Sequence, residues 1–309
     1  MHTTGLPTTL GDLHVRNLAW LATAPGLASA VPVNSCDACL TDAWYARCGE
    51  VLATWLQVQD ASPQTLHAHV APFVVGRLGY YVEALLAYLF EHAPGFGLIA
   101  QHLLIKRGQI TIGELDFLAQ LPEFGLSHVE CAFKLFLQTG NGPTSLVGPN
   151  PADRLDLKLQ RLQTHQLPMS AQPEALAMMP VRPGQALAWL KGWLFYAWHD
   201  WQAGQWLHPN GWWVYWRPSE RPDWLNPTCQ YAILPKVNWV ATVTQHQVTT
   251  YDTQTLHAIL AQRFSTHPRP MLIAELVQMS YRDWQERSRG FIVPSSWPAF
   301  AADSSKPIS

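Results

Sequence analysis

At 309 residues, 48% of them hydrophobic, the chain is long enough for one large core or two modest ones, far above the size at which small domains need disulfides or metals to hold together. Only 14% of residues are charged and the net charge is −2, which excludes both a disordered chain and a general polycationic nucleic-acid binder. Residues 1–150 carry 6 Lys and Arg against 11 Asp and Glu, whereas residues 151–309 carry 14 against 11, so a polyanion should meet the second half first.

Residues 1–62 read as a helical extension. Apolar residues recur at helical spacing over 12–24 and 42–57, with Asp12 and Asp42 placed as caps and Pro25 and Pro32 between them. The start shows no basic patch followed by an apolar run, and this predicts a cytoplasmic protein. Cys36, Cys39 and Cys48 supply three thiolates without a fourth ligand, so they read as reduced cysteines rather than a zinc site.

Residues 63–200 read as an α/β core. Leu78, Val82, Leu85, Leu86 and Leu89 mark a helix that Pro94-Gly95 stops. The period then shortens to that of strands in GLIAQHLLIKR, ITIGELDFLAQ and LSHVECAFKLFLQ, separated by Gly108 and by the turn from Pro122 to Gly125, which predicts an antiparallel three-strand meander. A Gly/Pro-rich loop leads to a second helix, with Leu155, Leu159 and Leu162 in one stripe behind Asp153 as cap. ALAWLKGWLFYAWH reads as a buried strand, although its first half fits a helix equally well; Lys191 interrupts it, and it falls short of the ~20 apolar residues that span a bilayer, so no membrane association is expected.

Residues 201–309 form a Trp-rich extension packed on that core. Strands are expected around GWWVYWRP, CQYAILPKVNWVATV, PMLIAELVQ and RGFIVP, with one helix at TQTLHAILAQRF. Twelve of the 15 tryptophans follow residue 188. Stacking platforms for bases or sugars are one reading, but their crowding beside Pro and Gly favours packing. Arg282, Arg287 and Arg289 read as a solvated loop patch.

Because charge is scarce, charges inside apolar elements stand out. Glu83 lies within the first core helix, Asp116 within the second strand, and Glu130 and Lys134 within the third. Residues two or four apart on a strand share a face, so Glu130 and Lys134 point the same way, and Asp116 would converge on them by lateral pairing. Clustered carboxylates suit Mg²⁺ or Mn²⁺, and an adjacent lysine can orient a water or stabilise a phosphoryl transition state. Arg154, Lys158 and Arg161 fall at i, i+4 and i+7 on the second helix, where they could equally follow a phosphate backbone or form a solvated face partly neutralised by Asp153 and Asp156.

The pattern GELDFLAQ…HVECAFKLFL after a Glu-bearing helix resembles the signature of PD-(D/E)XK nucleases, whose restriction-endonuclease-like core runs helix, three strands, helix, strand in a mixed sheet flanked by helices. The resemblance implies metal-binding acids at Glu83, Asp116 and Glu130, a catalytic Lys134, Mg²⁺ or Mn²⁺ as cofactor, and phosphodiester hydrolysis with DNA ahead of RNA as substrate. One departure is plain: the family lysine stands two residues after its acid, but Ala132 occupies that place and Lys134 lies ~13 Å along the strand from Glu130. The alternative is therefore an inactive protein of the same fold that binds nucleic acid or a protein partner. Over nearly the full length, stretches such as HVRNLAWLATAP, PADRLDLKLQRLQTHQL and RGFIVPSSWP also resemble a bacterial family of uncharacterised proteins, number 1853 among the domains of unknown function.

Overall fold

The structure, a computed structural model, describes residues 10–27, 37–141, 143–202, 208–217, 222–280 and 283–298. In the N-terminal third the helices are α1 (Leu13–Thr23), α2 (Asp42–Ala61), α3 (Gln64–Val70) and α4 (Leu78–His92). Asp12 caps α1 by accepting from the N–H groups of His14 and Val15. Thr41, not Asp42, caps α2; Asp42 instead accepts the N–H of Gly26 at 2.7 Å, pinning the chain that follows α1.

The meander follows as β1 (Gly97–Arg107), β2 (Ile110–Leu121) and β3 (Gly125–Gln138). Gly108 makes the first turn in the left-handed region (φ +61°), and Glu123 and Gly125 (both φ +69°) make the second. After β4 (Leu146–Val147), α5 (Leu155–Arg161) and α6 (Pro173–Met178), the chain returns as β5 (Gln185–Ala197), parallel to β3, as a crossover through helices permits. Backbone approach is close there: a Cβ on Gly192 would sit 1.8 Å from the carbonyl oxygen of Lys134, so only glycine fits.

The remaining elements are β6 (Asn210–Tyr215), β7 (Gln230–Ile233), α7 (Thr253–Thr266), β8 (Met271–Ser280) and β9 (Asp283–Val293). All strands join one mixed sheet in the order β1-β2-β3-β5-β6-β9-β8-β7, with β4 on β3. The sheet thus runs through both the 63–200 and the 201–309 stretches. Its centre, β3-β5-β6-β9, is parallel and its two ends are antiparallel. The long apolar segment expected over 229–243 keeps strand pairing only to Ile233, because Pro235 cannot donate to a ladder and opens a 3₁₀ turn at Lys236–Trp239.

Alternation along β3 sorts its residues between two cores. Val129, Cys131, Phe133, Leu135 and Leu137 join α1, α2 and α4 on one face, while Ala132 and Phe136 meet Leu155 of α5 on the other. The tryptophans are packing residues: none of those described is exposed. Trp20 stacks on Trp193 at 5.6 Å, and the indole N–H groups of Trp189, Trp193 and Trp213 donate to the carbonyls of Leu21, Val240 and Gln138. Trp206 and Arg282 lie outside the described residues.

The C-terminal arginines depart from the expected solvated patch. Arg287 pairs with Glu275 at 2.7 Å, and Arg289 is fully buried. Cys39, Cys48, Cys131 and Cys229 form no disulfide; Cys36 lies outside the described residues.

Candidate functional site

The pairing of β2 with β3 stops at Phe117↔Val129, and the acids gather just past that point. Asp116 Oδ2 accepts the N–H of Cys131 at 2.8 Å, so a carboxylate takes a strand donor that the ladder has released. A cavity of about 310 Å³ opens beside it. Glu83 and Tyr80 of α4, His102 of β1 and Glu114 of β2 line its walls, and Arg161 at the end of α5 closes it together with His165, Gln166 and Met169 from the chain that follows. Met169 can come so near because Gly113 has no side chain: a Cβ there would lie 2.5 Å from the methionine methyl.

The helix predicted over 153–167 is interrupted at this place. It is α-helical only to Arg161, continues as a π-turn over Leu162–Gln166, and tightens to 3₁₀ over Leu167–Ala171. One wider turn rotates the following residues, and the side chain of Gln166 reaches the sheet. Gln166 Nε2 donates to Glu130 Oε2, and its Oε1 accepts from Lys158 Nζ at 2.8 Å. The other oxygen of Glu130 meets His128 Nε2 at 2.8 Å, and His128 Nδ1 meets Ser170 Oγ at 3.0 Å. Glu130 is therefore a buried carboxylate with both oxygens engaged.

The basic residues divide differently from their sequence spacing. Lys134 shares the face of Glu130 but pairs with Asp153 at 2.8 Å, and Asp153 is consequently no helix cap. Arg154 turns to Asp156, with Nε 3.0 Å from Oδ1. Arg161 lines the cavity, and Lys158 lies half-buried behind Gln166. Burial lowers the pKa of Lys158, while Asp116 and Glu130 push it back up. The ammonium that feels the acids is thus Lys158, carried in by α5.

The acids feel one another. Burial raises the pKa of Asp116 to about 7, with the charge of Glu130 adding to it and the Cys131 N–H opposing. Burial also raises Glu83, with His102 opposing and Glu114 and Glu130 reinforcing. Asp116 holds its proton more tightly folded than unfolded, so its stabilising contribution is complete below the unfolded carboxylate range and is lost as pH rises through about 7. Asp116→Asn, a neutral isostere, should melt with wild type at about pH 4 and above it at about pH 8; an equal difference at both pH values would contradict the shift.

Sequence spacing held a signal for two residues that it did not single out. His128 and Glu114 stand two before Glu130 and Asp116, and strand alternation puts each on its acid's side. Gln166, His165, Tyr80 and His102 left no such signal. His102 adopts φ +53° and sets Nδ1 2.7 Å from Glu114 Oε1, with Nε2 3.9 Å from Glu83 Oε2.

Three acids as one ready ligand set do not fit this arrangement. Among the described residues no group of three His, Cys, Asp and Glu side chains is placed to hold a metal ion. Glu130 explains part of that, since His128 and Gln166 occupy its oxygens. Asp116 and Glu83 remain: both line the cavity, and Asp116 spends one oxygen on a backbone N–H.

Fold and site together describe a mixed α/β protein whose large sheet is flanked by helices and bears an acid-lined cavity near one end. The sequence matches the family described as Domain of unknown function (DUF1853) over residues 16–293, and the chain belongs to that family. No curated protein and no solved structure matches it. Among the described residues no helix is long and apolar enough to cross a membrane.

Proposed function

We propose that the cavity is a divalent-cation-dependent phosphodiesterase site acting on DNA in the cytoplasm, set on a restriction-endonuclease-like core of α4, β1, β2, β3, α5 and β5. The observation that carries this is Asp116, a strand carboxylate raised to about 7, sharing a cavity with Glu83 and backed by the half-buried Lys158. Crowded, partly desolvated carboxylates gain most from a nearby cation. Asp116 and Glu83 would hold Mg²⁺ or Mn²⁺ with most of its waters retained, as Mg²⁺ favours. Bound there, the ion would supply an acidified water and neutralise charge on a phosphoryl oxygen.

The chain's own groups have separable tasks in this reading. Gln166 holds the Lys158 ammonium next to the acids, where it can stabilise developing negative charge. Arg161, exposed at the cavity, offers a fork of donors to a phosphate. Glu130, clamped from both sides, acts on both neighbours, pushing the pKa of Lys158 back up against its burial and adding to the rise at Asp116.

The test is incubation of purified protein with Mg²⁺ or Mn²⁺ and single-stranded, duplex and branched DNA, and with RNA, beside Asp116→Ala. Cleavage lost in the variant supports the site; cleavage unchanged in it refutes the assignment. A second reading, an inactive protein of this fold that binds nucleic acid or a protein partner, is favoured by the engaged oxygens of Glu130 and by the Lys134–Asp153 pair. It expects salt-sensitive binding that persists in Asp116→Ala, without cleavage by either protein.

A further inference from the structure

We propose that the cavity receives an unpaired nucleic-acid strand, one base stacked on Tyr80 and the adjoining phosphate held by Arg161, so that single strands bind in preference to duplex. This rests on the reading of the cavity as a phosphodiester site and adds the form of its substrate.

Tyr80 differs from the other tyrosines of its helix. Tyr81 is buried and bonded to His14 and Asn17, and Tyr88 packs on Trp55 and donates to Gln59. Tyr80 is 51% exposed, lines the cavity, and makes no ring contact or side-chain hydrogen bond among the described residues. It precedes Glu83 by three positions on α4, so the two share a face, with the ring one turn from the carboxylate. An aromatic face left open next to charged groups is what base stacking uses, and it is tolerant of sequence because every base has a π-face.

Arg161 supplies the complementary half. It lies in the same cavity as Glu83, Glu114 and Asp116, yet forms no ion pair with them or with any other described residue. A guanidinium that passes over nearby carboxylates remains available to a phosphate oxygen. The cavity, about 310 Å³, lies at the small end of the ~300–1,000 Å³ range of ligand pockets, which suits one nucleotide rather than a base pair. A duplex base reaches Tyr80 only after it is unstacked and unpaired, a cost that a single strand does not meet.

Binding can be separated from hydrolysis by using full-length Asp116→Asn protein without divalent metal. A short oligothymidylate, the matching oligouridylate and a hairpin duplex are titrated by calorimetry into this protein and into versions that also carry Tyr80→Ala, Tyr80→Phe or Arg161→Ala. Thermal melts verify that each is folded, as expected for exposed positions. The expected result is tighter binding of a single strand than of the hairpin, weakened roughly five- to a hundredfold by Tyr80→Ala and retained by Tyr80→Phe, the range that losing one base–aromatic stack gives. Arg161→Ala should reduce the dependence of log K on log salt by about one phosphate's worth. The thymidylate and uridylate arms show whether the strand is DNA or RNA, and Tyr80-dependent binding of either supports the proposal. Equal or tighter binding of the hairpin, or indifference to Tyr80→Ala, overturns it. If wild-type protein cleaves nothing while Tyr80-dependent strand binding persists, the hydrolytic reading fails and this one stands.

Discussion

Replacing Lys158 by methionine is expected to lower cation-dependent cleavage about a hundredfold or more, whereas Lys134→Met changes it only a few-fold, because one preorganised charge in such a site is worth ~10²–10³ in rate. Position decides between the two lysines. Lys134 stands two residues beyond the lysine position of the nuclease pattern that the sequence resembles, and its side chain pairs with Asp153. Lys158 arrives on α5, and the charges of Asp116 and Glu130 act on it. Methionine keeps most of the stem volume while removing the charge, so packing should survive. Single-turnover cleavage of the preferred strand, beside a melting curve for each variant, measures the effect. A large loss at Lys134 with little at Lys158 would restore the assignment suggested by sequence and remove α5 from the chemistry.

Arg289→Met should destabilise the fold by about 3–5 kcal/mol, the usual cost of breaking a buried ion pair from one side. Arg289 Nε lies 2.6 Å from Glu286 Oε1, its two terminal nitrogens donate to the carbonyls of Trp239 and Ala241, and its guanidinium sits 4.2 Å from the Trp193 ring. Glu286 in turn accepts the N–H of Val243. Removing the cation strands a desolvated carboxylate and two carbonyls, so the loss exceeds that of a single hydrogen bond. Urea unfolding followed by circular dichroism gives the value. The double variant Arg289→Met with Glu286→Leu should recover much of it, since a buried pair can often be exchanged for apolar groups of similar volume. A loss below about 1 kcal/mol in the single variant would show that water reaches the pair.

How much of this was legible in the sequence depended on the range of the signal. The meander was, because the two-residue period of β1 to β3 and the turn residues at Gly108 and Pro122–Gly125 are local. Asp116 was legible because a strand rarely spends a position on aspartate without a reason. Membership in the family was also legible, in stretches scattered along nearly the whole chain. That Lys134 turns to Asp153 while Lys158 comes under the influence of the acids was not. It depends on how α5 docks against the sheet and on a π-turn, and neither leaves a periodic trace. Arg289 misled for a related reason: near an arginine-rich turn it reads as solvated, and only the return of the 239–243 segment across β9 covers it. Glu130 was read as a ligand because the spacing shows the acid, but the two side chains that occupy it come from two residues before it and from the π-turn.

The tryptophans give the protein an optical division of labour. Among the described residues none that lines the cavity is tryptophan, whereas Trp20, Trp44, Trp189 and Trp212 are fully buried in the packed faces of the sheet. Indole emission should therefore shift strongly to the red when the sheet comes apart and change little when a strand occupies the cavity. The same chain thus carries an intrinsic fluorescence reporter of folding that is nearly silent to occupancy, so that a variant's loss of binding and its loss of structure can be told apart within a single cuvette.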